Sequence, residues 1–141
     1  MYFKPLLLPL LAQVLLTFIV LITMYIERIR EMKTRRIDPE HMKVRSDWQG
    51  KLRGSEASAN NFINLFESPV LFYVAILLAL ILMLQDRILV VLAWSYVMSR
   101  YLHSFIHITY NLVMHRFTVF MFSCFVLLAM WMRLGWIIIQ S

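Results

Sequence analysis

The chain has 141 residues, of which 61% are hydrophobic and 14% aromatic, with only 16% charged. A soluble domain is nearer ~25% charged, so this composition excludes an ordinary water-soluble fold and points to the membrane. The net charge of +6 does not indicate nucleic-acid binding, because acidic residues are mixed among the basic ones from Glu27 to Glu56.

Three glycines and four prolines leave little turn chemistry. No short alternating segments of the kind that build a transmembrane barrel are present, so long helices are expected. The single cysteine, Cys124, excludes an internal disulfide and any cysteine-based metal site.

Residues 6–26 form an apolar run of the ~20 residues that a bilayer crossing needs. No small-x-small cleavage site follows, and the run continues into a charged helical stretch, so it reads as a retained first span. Pro5 and Pro9 suit a helix start.

Residues 27–56 form the long polar loop. It carries Arg28, Arg30, Lys33, Arg35, Arg36, Lys43, Arg45, Lys51 and Arg53. Short loops rich in Lys and Arg stay in the cytoplasm, which puts this loop inside and both termini outside. The same charges form a basic collar that attracts anionic lipid headgroups or an anionic ligand. Asp38-Pro39 ends any helical continuation of the first span.

Ser55 is the expected cap of the second helix and Glu56 sits in its positive first turn. The span covers about 57–84. Asn60, Asn64 and Glu67 recur at four and three residues, which is one helical face, and Pro69 bends the helix just beyond Glu67. A polar turn at Gln85-Asp86-Arg87 leads to a third span at about 88–112 and a fourth at about 117–139. Arg133 lies near enough to the end of the fourth to reach the interface.

The third span carries Tyr96, Arg100, His103, His107 and Tyr110 on one stripe. Ionisable groups at membrane depth rarely face lipid, so the stripe should look into protein or a wet cavity. At 1.5 Å per residue, Glu67 and Arg100 lie roughly 15 Å and 20 Å from the cytoplasmic ends of their helices. A buried Glu67–Arg100 ion pair is therefore expected, since an unpaired charge there costs several kcal/mol. His103 and His107 could share a metal only with a third ligand, and none stands at a convincing spacing. Hydrogen bonding is their expected use, and no metal is expected.

Four spans, a long basic first loop, Asn64-Leu65-Phe66-Glu67 followed closely by Pro69, and Arg100-x-x-His103 ending in Arg116 together resemble the MAPEG family. These are the membrane-associated proteins of eicosanoid and glutathione metabolism. The resemblance covers essentially the whole chain. It implies an all-α membrane protein, a single four-transmembrane-helix bundle of MAPEG type, assembled as a homotrimer with glutathione bound between neighbouring subunits on the cytoplasmic side. A lipophilic substrate would enter from the bilayer.

By the same resemblance Arg116, with His107 and Tyr110, stands at the catalytic positions, Arg116 stabilising the glutathione thiolate. Glu56, Asn60, Asn64, Glu67, Arg100 and His103 stand at or beside the cofactor-binding positions. The chain departs from the family at two places. The enzymes' Arg-x-x-Arg before the asparagine is Asn60 and Ile63 here, and the family's third-helix tyrosine is His107.

Three functions follow as expectations: a glutathione-dependent transferase or peroxidase acting on lipophilic substrates, a non-catalytic binder of lipophilic ligands, and, third, a small transporter cycling protons on Glu67. The partners expected are the chain itself, membrane lipids and a lipophilic small molecule. The expected location is a bacterial inner membrane.

Overall fold

The computed structural model describes residues 4–37 and 54–140. Much of the basic loop, with Lys43, Arg45, Lys51 and Arg53, lies outside them. The described residues fold into five helices, α1 (Lys4–Arg35), α2 (Glu56–Asn64), α3 (Ser68–Ile81), α4 (Arg87–Ile108) and α5 (Val113–Gln140), with no strand among them.

The helices α2 and α3 together make one interrupted span, and it, α1 and α5 are long and apolar enough to cross a membrane. With 22 residues, α4 is ~33 Å long at 1.5 Å per residue. Its polar stripe makes it less apolar than the others. It crosses because short turns join it to α3 on one side and α5 on the other. The result is an integral membrane bundle of four helical spans.

One stripe of α1 faces inward: Leu6, Pro9, Gln13, Leu16, Val20 and Met24 are buried at spacings of three and four. Glu27 and Glu31 continue that stripe and meet the beginning of α2. Glu27 accepts a hydrogen bond from the Ser58 hydroxyl. Glu31 accepts the backbone N–H of Gly54 and of Ser55, both at 3.0 Å, and the Ser55 hydroxyl at 3.1 Å. A Cβ on residue 54 would stand 3.2 Å from the Glu31 carboxylate, so glycine permits the close approach. Ser55 is the N-cap residue, but its side chain makes no capping bond to its own helix. The carboxylate of α1 takes the orphan donors instead, which is favourable at the positive end of a helix.

The expected second span of 57–84 is broken at 65–67 and stops at Ile81. The break precedes Pro69, which sits at the first positions of α3, where a missing N–H costs nothing. The early stop is a left-handed C-terminal turn. Leu84 N–H reaches Ala79 O at 2.9 Å and Met83 N–H reaches Leu80 O at 3.1 Å, with Met83 at φ 53°. Glycine normally holds that position. The end of α1 repeats the pattern with Arg36 at φ 52° and Ile37 N–H to Met32 O at 3.0 Å.

Asp86 caps α4, with Oδ1 accepting Leu89 N–H at 2.8 Å. Its other oxygen accepts Arg133 Nη2 at 2.6 Å and Nε at 3.2 Å. Arg133 thus fastens α5 to the α3–α4 turn.

The main core lies between α3, α4 and α5, around Phe72, Ile76, Tyr96, Val97, Met130 and Leu134, with Leu6 of α1 joining it. A smaller cluster of Leu16, Val20 and Leu65 lies between α1 and the helix break. Exposed leucine, isoleucine, phenylalanine and methionine side chains cover the outside, as lipid contact requires.

Candidate functional site

The buried face of α4 carries the polar groups. Tyr96, Ser99, Arg100, His103, Ser104 and His107 are all buried there. Arg100 has no exposed surface at all. Its Nη2 donates to the Asn64 carbonyl at 3.1 Å, and its guanidinium carbon lies 5.6 Å from the centre of the Phe120 ring.

The helix break explains this contact. In a continuous helix the Asn64 carbonyl would accept the N–H four residues on. The interruption at 65–67 frees it, and Arg100 supplies the donor from across the bundle. The break also leaves Glu67 exposed at the N-cap of α3, making no capping bond. The buried Glu67–Arg100 ion pair expected from the sequence is therefore not formed.

One turn further along α4, His103 Nδ1 lies 3.2 Å from the Arg116 carbonyl. A carbonyl can only accept, so Nδ1 carries the proton. The His103 ring also lies 5.9 Å from both His107 and Phe120. At the other end of the stripe the Tyr96 hydroxyl lies 3.2 Å from the Ser68 hydroxyl, and its ring stacks on Phe72 at 4.7 Å.

Two buried amides complete the inner set. Asn61 of α2 accepts the Ser104 hydroxyl at 3.2 Å, and Gln13 of α1 is wholly enclosed. Several atoms of this set have no hydrogen-bond partner among the described residues: Arg100 Nε and Nη1, His103 Nε2, both His107 nitrogens, Asn61 Nδ2 and the Gln13 amide. Buried polar groups are normally satisfied. With its proton on Nδ1, His103 offers Nε2 as an acceptor, and His107 offers one donor and one acceptor. With the two free donors of Arg100, the stripe is suited to a polar or anionic group that can also donate. Among the described residues no three metal-ligating side chains converge.

The other residues singled out in the sequence stand around this core. Arg116, half-buried in the first turn of α5, donates from Nη1 to Asn111 Oδ1 at 2.6 Å. Asn111 adopts φ 48° in the α4–α5 turn, a conformation that asparagine tolerates. Tyr110 is exposed in the same turn, its hydroxyl 3.4 Å from His115 Nδ1. Glu56 and Asn60 are exposed on α2, and Asn64 is half-buried. The structure thus gathers Arg100, His103, His107, the Asn64 carbonyl and the Arg116 carbonyl. In the single chain it leaves Glu56, Asn60, Glu67 and Tyr110 on the outside.

Sequence reasoning missed Asn61, Ser104 and Gln13. For Asn61 the signal was helical phase. The buried positions of α2 run Ser58, Asn61, Leu65, one residue off the Asn60–Asn64 face. For Gln13 it was the presence of an amide in the middle of an apolar span, where a polar side chain turns inward.

At the same end of the bundle, Glu27, Arg30, Glu31, Thr34, Arg35 and Gly54 line an open cavity of about 300 Å³. Its two acids are already engaged by α2. Among known families, the MAPEG family model matches residues 6–136. No curated protein and no solved structure matches the chain.

Proposed function

We propose, from the premise that this chain belongs to the MAPEG family, that it acts as a homotrimer that binds glutathione at the α4–α5 end and conjugates or reduces lipophilic substrates entering from the bilayer. The observation that carries this reading is the polar stripe of α4, where two Arg100 donors, His103 Nε2 and both His107 nitrogens are left over inside an otherwise apolar bundle, with Arg116 beside it.

The polar set fits the ligand in chemistry, because glutathione is anionic and can also donate. Arg116 would hold the sulfur end, where a guanidinium raises the thiolate fraction. Held by Asn111, its guanidinium is kept at the rim of the α4–α5 turn. His107 or Tyr110 would donate a hydrogen bond to the substrate. Glu56, Asn60, Asn64 and Glu67, on or near the outer face of α2, would complete the site from a neighbouring subunit. Arg100 and His103 would back it from within. Glutathione, when bound, supplies the nucleophilic sulfur; the chain supplies position, charge and exclusion of water. The site belongs to the side where the basic loop lies, which we assign to the cytoplasm of a bacterial inner membrane with both termini outside.

A second reading rests on the departures in α2. Asn60 and Ile63 replace two family arginines, and each lost charge-assisted bond is worth ~1.5–3 kcal/mol. That favours a non-catalytic binder of lipophilic ligands.

Calorimetry with glutathione on detergent-purified protein separates the two. Saturable binding that Arg116→Ala removes is the result expected for the enzyme. Absence of binding at millimolar glutathione would leave the lipophile binder, whose ligand would then be sought among the co-purifying lipids.

A further inference from the structure

Arg35 of α1 is paired with Glu31 at 3.0 Å, and Arg30 lines the cavity beside Glu27 and Glu31, but Lys33 and, just past the helix end, Arg36 stand on the face opposite the two acids. Glu27 and Glu31 extend the buried stripe and are held by Ser58, Gly54 and Ser55. Opposite them, Leu11, Leu15, Phe18, Ile22, Tyr25 and Ile29 recur every three or four residues and are all exposed. Lys33 and Arg36 then continue this same stripe, four and seven residues beyond Ile29, and are exposed too.

Depth gives the pattern its meaning. From Leu11 to Ile29 the apolar stripe rises ~27 Å at 1.5 Å per residue, close to the ~30 Å hydrocarbon core. Lys33 and Arg36 stand ~6 Å and ~10 Å higher, at the level of lipid phosphates. No acidic residue shares that face, and the left-handed turn at Arg36 ends the helix there. Of the basic residues at this end, Lys33 and Arg36 are the two that fall in phase with the exposed apolar stripe, whereas Arg30 and Arg35 lie beside the acids.

We infer that Lys33 and Arg36 form a docking site for the headgroup of an anionic phospholipid whose acyl chains lie along Leu11–Ile29. The net negative charge of the headgroup is what the pair recognises. A zwitterionic lipid carries its own compensating cation and gains little. The site lies across α1 from the α4 stripe, and does not depend on the function proposed above.

The test uses the full chain in bilayer discs of phosphatidylcholine and phosphatidylglycerol, reading the ratio of the two lipids retained after gentle detergent extraction. The wild type should enrich phosphatidylglycerol. Because each basic group near an anionic surface contributes ~1 kcal/mol, replacing both residues (Lys33→Gln with Arg36→Gln) should reduce the enrichment about fivefold per charge. The charge-preserving pair Lys33→Arg and Arg36→Lys should keep it. Enrichment unchanged in the glutamine pair, or absent in the wild type, would overturn the proposal. So would full displacement of the lipid by inorganic phosphate, which would mark a site for free anions.

Discussion

Replacing Asp86 by alanine removes two supports from one turn. Its Oδ1 caps α4 through Leu89 N–H, and its Oδ2 takes two N–H bonds from Arg133. Loss of a capping side chain costs ~1 kcal/mol. The ion pair is partly open to solvent, with the Arg133 side chain 33% exposed and that of Asp86 16%, so screening holds its share to ~1 kcal/mol. Asp86→Ala should therefore destabilise the bundle by ~2 kcal/mol. Asp86→Asn keeps an acceptor for the cap and should cost about half as much.

The same carboxylate predicts a pH response. Burial pushes the Asp86 pKa up, but the Arg133 and Leu89 hydrogen bonds outweigh it and hold the folded value below the ordinary 3.8. A depressed folded pKa means that the native state binds the proton less readily than the unfolded chain. The stabilisation is thus complete above the unfolded-state value and fades as pH falls below it through the folded one. Reversible unfolding in mixed micelles, followed by tryptophan fluorescence and repeated with Arg133→Met in a double-mutant cycle, measures all of this. If Asp86→Asn costs as much as Asp86→Ala, the capping role is wrong. A coupling to Arg133 indistinguishable from zero would remove the ion pair from the account.

Two other substitutions probe the interior and the helix ends. Ser104→Ala strands the buried Asn61 carbonyl oxygen and should cost ~1–3 kcal/mol, whereas Asn61→Leu added to it removes the stranded group and should restore most of the loss; a double variant less stable than Ser104→Ala alone would contradict this. Met83→Gly relieves a left-handed residue that is 70% exposed and should raise stability by ~1 kcal/mol, read as a shift in the same unfolding curve; no gain would mean the turn is held open by other contacts.

The first, third and fourth spans were legible because each carries a strong periodic signal. An apolar run marks α1 and α5, and a polar stripe marks α4. The second span was harder. Pro69 announced a disturbance, but not that the chain would stop at Asn64 and restart at Ser68. That detail decided the partner of Arg100. Patterning can pair a guanidinium with a carboxylate on another helix, but a main-chain carbonyl becomes available only once the break has formed. Asn61 was missed for a related reason. With two adjacent asparagines, phase is set by which neighbour packs inward, and that was Leu65, against Leu16 and Val20. The Ser55 cap failed because its competitor, Glu31, lies 24 residues earlier in the chain.

The polar stripe also bears on how the chain enters the bilayer during synthesis. Arginine at the centre of a helix opposes insertion by ~2.5–3.5 kcal/mol on translocon scales, and α4 carries one together with two histidines. The groups that temper this cost lie on both sides of it in the chain: the Asn64 carbonyl at Arg100 has already emerged, and the next segment brings the Phe120 ring to Arg100 and the Arg116 carbonyl to His103. The turn between them is short, so α4 and α5 are suited to leave the insertion machinery as one hairpin. Leaving as such a hairpin, they would make their mutual contacts in passage, and α4 would not have to stand alone in lipid.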